Sequence, residues 1–174
     1  MSSHEQPTYE VVARHDGYEI RRYDSYLVAE TTVHGSYEST GNEAFRRLAG
    51  SIFGRNTDSM KMKMTVPVTH EALDGGRHRY RFVMERAYTE DSLPAPVDAA
   101  VAVVRLPEGT YAARRYRGGR DERRFRNAEA KLVLALEGDG IARDGPAMSA
   151  VYDGPYVPAP LRRNEVLIPV SWPH

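Results

Sequence analysis

The stretch MKMKMTVPVTHE, from Met60 to Glu71, alternates apolar and polar residues through most of its length. Side chains two positions apart lie on the same face of a β-strand, so a strand here has one apolar and one polar face. Lysines, threonines and a proline occupy the polar positions. The pattern therefore predicts a strand whose apolar face consists of Met60, Met62, Met64, Val66 and Val68.

Alternating methionines are also candidate ligands for a soft ion such as Cu(I), which selects sulfur. The sequence contains no second methionine cluster and no cysteine, which excludes disulfides and thiolate metal sites. Methionine commonly fills irregular apolar space in protein cores. Packing is therefore the preferred interpretation of this stretch over metal binding.

Composition favours one soluble domain. The chain has 174 residues, with 24 lysines and arginines against 24 aspartates and glutamates, so its formal net charge is zero. A zero net charge gives no global electrostatic argument for binding nucleic acid or an anionic membrane. The N-terminal sequence MSSHEQPTYE is polar, unlike a secretory signal, and no apolar run approaches the roughly 18 residues of a membrane span. We therefore expect a cytoplasmic protein with a flexible tail over residues 1–8 and a single domain over residues 9–174.

Two segments change to a helical period. In STGNEAFRRLAGSIFG, apolar residues at i, i+3, i+4 and i+7 predict one face of an amphipathic helix, formed by Phe45, Leu48, Ala49 and Ile52. In DERRFRNAEAKLVLALEGDG, helical spacing relates Phe125, Ala128, Leu132 and Leu136.

The two halves of the chain resemble each other weakly. Each predicted helix follows an Arg-Arg-Tyr stretch, EIRRYDSY in the first half and AARRYRGG in the second, and proline-rich SLPAPVD separates the halves. This indicates duplication of a strand–helix–strand–strand unit, with pseudo-repeats at about residues 9–90 and 97–172. Such units form antiparallel sheets with a helix on one face, and two units can join into a larger curved sheet. We therefore predict an α+β fold with a crevice between helices and sheet for an apolar ligand.

Motifs for covalent or hydrolytic catalysis are missing from the sequence, including G-x-S-x-G, a P-loop, the Rossmann glycine pattern and HExxH. Arginine and tyrosine interleave in YEIRRY and AARRYRG, a composition that suits single-stranded nucleic acid. Cross-strand pairing on a sheet explains this interleaving more economically. We therefore expect a ligand-binding protein with no catalytic residue and no nucleic-acid partner.

Five segments follow one another in a recognisable order: YEIRRY, YLVAETTV, GNEAFRRLAGSIFGRN, MKMTVPV and RRNEVLIPV. In this order, from about Tyr9 to Val170, the chain resembles the SOUL haem-binding family. The resemblance implies two βαββ repeats that form a distorted, barrel-like antiparallel sheet with two main helices, similar to bacterial effector-binding domains. It also implies non-covalent, reversible binding of haem or another tetrapyrrole for carriage, buffering or sensing.

The resemblance further implies a binding site. In the family the ring is thought to lie against the apolar face of the first helix, which corresponds here to Phe45, Leu48, Ala49 and Ile52. A covering loop near the C-terminus corresponds to VYDGPYVPAPLRRNEV, with Tyr152, Tyr156 and Val157. Arginine pairs with a carboxylate through two parallel hydrogen bonds, so the candidates for holding propionates are Arg46, Arg47, Arg162 and Arg163.

The iron ligand is unassigned. Some vertebrate members carry a histidine at the position that Arg22 occupies in YEIRRY, and arginine stays protonated and cannot ligate iron. None of the six histidines has a recognised ligand spacing. His34 is the candidate because it lies just ahead of the first helix, whereas His78 lies beside a turn and is expected to be solvated.

Two other functions stay open. One is a general effector-binding module that uses the same cleft for hydrophobic or cationic small molecules. The other is a haem-modifying enzyme, for which the sequence offers no motif. The sequence does not specify protein partners.

Overall fold

The computed structural model describes residues 4–173. Residues 1–3 of the predicted tail and residue 174 of the predicted domain lie outside this range. Backbone contacts divide the chain into two compact units. Unit 1 comprises residues 4–7 and 25–107, and unit 2 comprises residues 8–24 and 108–173.

Nine strands and two α-helices lie between residues 4 and 173. In chain order they are β1 (Tyr9–His15), β2 (Tyr18–Tyr23), β3 (Tyr26–His34), α1 (Gly41–Ile52), β4 (Val68–Ala72), β5 (Arg77–Val83), β6 (Ala102–Leu106), β7 (Gly109–Arg117), α2 (Glu122–Gly138), β8 (Met148–Val151) and β9 (Arg163–Pro169).

Unit 1 contains an antiparallel sheet in the order β4–β5–β3–β6. Helix α1 packs against β3 and β5. Alternate residues of these strands, which share one face, meet the inward side chains of α1. From the strands, this core includes Leu27, Ala29, Val33, Tyr80 and Phe82.

Unit 2 contains an antiparallel sheet in the order β1–β2–β7–β9–β8. Helix α2 packs against β7 and β9. Its N-terminus is capped by Asp121, whose carboxylate accepts hydrogen bonds from the backbone N–H groups of Arg123 and Arg124. The four residues predicted to share one face of this helix are all buried: Phe125, Ala128, Leu132 and Leu136.

Each unit is built around the same succession of elements. In unit 1 this is β3–α1–β4–β5, and in unit 2 it is β7–α2–β8–β9. Strand β6 adds to the first sheet and the hairpin β1–β2 adds to the second. The predicted α+β class with duplicated βαββ units and two main helices is therefore confirmed.

The methionine stretch differs from its prediction. Strand β4 begins only at Val68 and not at Met60. Pro67 has no N–H to donate to a strand ladder, and the preceding backbone makes other contacts. The Met62 N–H donates to the Ile52 carbonyl at 2.7 Å, and the Thr65 hydroxyl donates to the Val83 carbonyl at 2.5 Å.

Arg21 and Glu165 form a buried ion pair in unit 2, with only 1% and 4% of these residues exposed. Nη1 of Arg21 donates to Oε1 of Glu165 at 2.7 Å, and Nη2 donates to Oε2 at 2.5 Å. Nη1 also donates to the Tyr23 hydroxyl at 2.9 Å, and the Tyr152 hydroxyl donates to Oε1 of Glu165 at 2.6 Å. The Tyr9 ring lies 4.5 Å from the guanidinium carbon. The pair is therefore enclosed by hydrogen-bonding and aromatic partners.

Protonation in this cluster follows from burial and charge. Burial, followed by the charge of Glu165, raises the pKa of Tyr152 above its ordinary value, so this hydroxyl stays a donor. Burial by itself would lower the pKa of the Arg21 guanidinium. The hydrogen bond to Glu165, together with the other contacts of the cluster, outweighs burial and raises this pKa. Both partners are needed, because a buried charge without its counter-charge is costly.

Replacing Glu165 with glutamine is expected to lower the free energy of unfolding by about 1.5–3 kcal/mol, because Arg21 then loses its bidentate partner and keeps only Glu19, at 2.8 Å, as a counter-charge. Urea denaturation measures this loss. Glu129→Gln is the matched control, since Glu129 pairs at 2.9 Å with Arg126, whose side chain is 48% exposed. That control is expected to lose less than about 1 kcal/mol. Equal losses in the two variants would contradict the assigned role of the buried pair.

Candidate functional site

The four residues of α1 that were predicted to line a ligand groove differ in their exposure. Leu48 and Ile52 are 0% and 1% exposed and belong to the core of unit 1. Their apolar face is occupied by the unit's own sheet. Phe45, in contrast, is 47% exposed, and Ala49 lies between these extremes at 8%. Of the predicted face, Phe45 is largely exposed, and Ala49 is buried beside it in the same core.

An apolar strip runs along this edge of α1. It consists of Phe45, Ala49 and Phe53, which are four residues apart and therefore lie along one side of the helix. The rise of a helix separates the two phenylalanines by roughly 12 Å along its axis. Phe53 is 52% exposed, whereas Phe82 and Phe125, the other phenylalanines of the chain, are 2% exposed. Two solvent-facing rings with a small residue between them form a surface suited to a flat apolar ligand.

A polar pocket of about 260 Å³ lies beside this strip on the outer side of α1. Three of its residues are arginines, and two of these, Arg46 and Arg47, were predicted from the sequence. The lining residues are Glu43, Arg46, Arg47, Ser51, Arg55 and Asp98.

Arg47 is held in place by unit 1. Its Nη2 donates to Glu43 at 2.7 Å, one helical turn away. Its Nη1 donates to the Thr31 hydroxyl at 3.2 Å and to the Thr32 carbonyl at 3.3 Å. One edge of the pocket is thus fixed by contacts within unit 1.

The other two arginines have guanidinium groups that are not engaged. Among residues 4–173, the guanidinium of neither Arg46 nor Arg55 has a hydrogen-bond or ion-pair partner. Both carboxylates of the pocket are engaged, since Glu43 binds Arg47 and Asp98 accepts the Ala100 N–H at 2.8 Å. The pocket therefore offers two free guanidinium groups to an anionic ligand.

Phe53, Arg55 and Asp98 were missed by the sequence analysis. Phe53 extends the i, i+4 series that begins at Phe45, so the helical period could have identified it. Arg55 follows Gly54, where the helix pattern ends, and Asp98 lies far away in the sequence. No local pattern relates these two residues to α1.

The predicted C-terminal loop lies in unit 2 and is largely engaged with itself. Arg162 donates to the carbonyls of Val157 at 2.7 Å and Pro155 at 3.0 Å. Arg163 forms two hydrogen bonds with Asp153, at 2.9 and 3.0 Å, and this pairing holds the pKa of the Asp153 carboxyl below its usual value. Both arginines thus stabilise the loop.

The three apolar or aromatic candidates of this loop differ in exposure. Tyr152 is half-buried and donates its hydroxyl to Glu165. Val157 is half-buried, and its backbone N–H donates to the Gly154 carbonyl at 3.1 Å. Tyr156 is exposed.

The histidine arrangement differs from the sequence prediction for His78. His78 is buried, and its Nδ1 lies 2.8 Å from Nε2 of His70. The His70 ring stacks on Tyr80, with 4.2 Å between ring centroids, and lies 4.1 Å from Tyr37. This packing inside unit 1 explains why neither histidine is solvated.

The candidate metal ligand His34 is exposed at the end of β3. Among the residues that the structure describes, no group of three histidine, cysteine, aspartate or glutamate side chains is arranged to hold a metal ion. Arg22, at the position of the family's histidine, lies on β2 in unit 2, and its Nη1 is 3.8 Å from Glu10. The assignment of His34 as an iron ligand stays a prediction.

Comparison with profiles of protein families identifies the family of this chain. The profile of the SOUL heme-binding protein matches residues 4–169, nearly the whole chain. The chain belongs to the SOUL heme-binding protein family. No curated protein matches this SOUL chain.

Solved structures share the fold of this SOUL chain at low identity. The C-terminal domain of EcmrR superposes with a TM-score of 0.69 at 12% identity, over 94% of this chain and 98% of that chain. A hydrolase from Listeria innocua gives 0.68 at 13% identity, over 92% and 94%. SAV2435 bound to tetraphenylphosphonium gives 0.52 at 12% identity, over 88% and 93%. At these identities the likeness shows a common fold and nothing about the ligand.

Within residues 4–173, neither helix has the length and apolar character needed to cross a membrane.

Replacing Leu48 with alanine is expected to lower the free energy of unfolding by about 2–5 kcal/mol, because it opens a cavity in the core of unit 1. Phe45→Ala is expected to cost about 1 kcal/mol or less, since the ring is half exposed and packs edge-on against Phe82. Thermal and urea denaturation of both variants check the difference. A loss as large for Phe45→Ala as for Leu48→Ala would assign Phe45 to the core and remove the strip.

Proposed function

We propose that this SOUL-family protein binds haem or a related tetrapyrrole non-covalently on the outer side of α1, and acts as a carrier, buffer or sensor. The observation that carries the proposal is the position of the arginine-lined pocket beside two exposed phenylalanine rings, Phe45 on α1 and Phe53 at its C-terminal cap. A tetrapyrrole combines a flat apolar ring with carboxylates at its edge. The strip and the pocket match these two parts.

The apolar strip supplies the main attraction. Burial of apolar surface is worth about 25 cal/mol per Å² before ordering costs are subtracted. Phe45 and Phe53 can pack in offset or edge-on contact with the ring, and Ala49 leaves room between them. The sequence candidates Leu48 and Ile52 support the helix from inside in this arrangement.

The arginines orient the ligand. Arg46 lines the pocket without a partner among the described residues, and Arg47 is fixed by Glu43 and Thr31. A guanidinium binds a carboxylate through two parallel hydrogen bonds, which sets direction as well as affinity. The propionates of a bound tetrapyrrole therefore point into the pocket, and its ring lies on the strip.

Bound haem would supply an iron with an open coordination position, and this chain's residues bind and orient the ring. The proposal uses unit 1 alone and requires no axial bond. Coordination by His34, and cover by Tyr152, Tyr156 and Val157 with Arg162 and Arg163 at the rim, stay predictions from the sequence.

The charge of the pocket distinguishes this function from its alternatives. A general module for cationic ligands, such as the tetraphenylphosphonium bound to SAV2435, needs unbalanced negative charge at the site. The pocket on α1 has three arginines against two carboxylates and therefore an excess of positive charge. The name hydrolase belongs to the Listeria innocua protein, and the α1 site has no histidine, cysteine or paired carboxylates placed for hydrolysis.

Titration with ferric haem and with iron-free protoporphyrin, followed at the Soret band, tests this function. Binding is expected to saturate near one equivalent for the haem. Arg46→Ala and Phe53→Ala are each expected to raise the Kd roughly tenfold, through loss of a charge-assisted hydrogen bond or of ring contact. Arg77→Ala is the matched control, because Arg77 is exposed on β5 and donates to the Asp74 carbonyl; its Kd should equal that of the wild type.

The absence of saturable binding by either porphyrin would overturn the proposed function. Unchanged affinity in both site variants would leave porphyrin binding intact and reject its location on α1. Displacement of haem by tetraphenylphosphonium at lower concentration than by protoporphyrin would favour the module for cationic ligands.

A further inference from the structure

Gly50, in the interior of α1, provides space for the side chain of Arg55. A Cβ atom added to Gly50 would lie 3.1 Å from Cδ of Arg55 and 3.9 Å from its Cβ and Cγ. Contacts at 3.1 Å are tighter than ordinary van der Waals packing. The aliphatic stem of Arg55 therefore lies where the side chain of any other residue at position 50 would start.

The backbone of Arg55 is fixed while its guanidinium is free. Its N–H donates to the Gly50 carbonyl at 2.8 Å, and its carbonyl accepts the Val97 N–H at 3.1 Å. The guanidinium lines the pocket with Arg46 and has no partner among residues 4–173. Arg55 is thus anchored beside α1 and available to a ligand.

The two free guanidinium groups of the pocket can bind two carboxylates. Arg47 is already bound to Glu43, so Arg46 and Arg55 are the two groups that can each take a carboxylate. A ligand with a single carboxylate leaves one of them without a hydrogen-bond partner. A ligand with two free carboxylates on one edge satisfies both.

We propose that Arg55, positioned by Gly50, makes the α1 pocket selective for tetrapyrroles that carry two free carboxylates on one edge. This inference rests on the proposed tetrapyrrole function and names the class of ligand that the site prefers. Gly50 acts as a positioning residue, since it reaches the ligand only through Arg55.

Affinities for protoporphyrin and for its dimethyl ester test the selectivity, because the two share a ring and differ in carboxylate charge. The wild type is expected to bind the diacid at least roughly tenfold more tightly than the ester. Arg55→Ala is expected to weaken diacid binding roughly tenfold and to leave ester binding unchanged. Gly50→Leu keeps the charge of Arg55 but displaces it, so it should lower the ratio of diacid to ester affinity in the same way. Arg55→Lys, which keeps the charge without the planar fork, should retain part of the ratio.

The Arg77→Ala variant is the control and should keep the wild-type ratio. An unchanged ratio in Arg55→Ala, or equal weakening of both ligands, would overturn the selectivity while leaving the proposed function in place. A wild-type ratio near one would also reject it. Failure of the wild type to bind either ligand would instead reject the proposed function, and this inference with it.

Discussion

The Arg21–Glu165 pair constrains the whole of unit 2, because it reaches across the middle strand of the sheet. Arg21 lies on β2 and Glu165 on β9, and both strands pair with β7. A bidentate contact of this kind requires both strands to keep their register against β7. A shift of one residue in either strand would turn one charged side chain to the other face of the sheet and break the bidentate contact. The ion pair therefore specifies one alignment of three strands, whatever its net contribution to stability.

The sequence segments that carry the family resemblance have structural roles. Arg21 belongs to YEIRRY and Glu165 to RRNEV, so two of these segments meet in one buried contact. The Thr65 hydroxyl of MTVPV donates to the Val83 carbonyl at the end of β5. The candidate site on α1, including Phe53 and Arg55, lies mostly within another of these segments, GNEAFRRLAGSIFGRN. The segments therefore contribute both to the fold and to the surface of α1, and the ligand has to be argued from that surface.

The periodicity of the sequence predicted the helices and strands well, but it predicted less well what their side chains contact. Leu48 and Ile52 have the spacing of an apolar helix face, but the same spacing serves a core and a ligand groove equally, and the sheet of unit 1 occupies that face. Alternation in the methionine stretch predicted a strand that Pro67 delays until Val68. His78 is beside a turn in the sequence and yet buried, since only the pairing of β4 with β5 brings His70 to it. Contacts between distant residues decided each of these differences.

The chain has no formal net charge, but the pocket on α1 has a local excess of positive charge. Lysine and arginine equal aspartate and glutamate in number, but the pocket on α1 has three arginines and two carboxylates that already have partners. Gly50 adds a second indication that this pocket has a function. Glycine inside a helix costs roughly 0.5–1 kcal/mol relative to alanine, and the helical backbone of α1 at this position gives no conformational reason for glycine. The contact it permits is the one with Arg55, so a helix that stabilises the core on one side gives up stability to position a cation on the other.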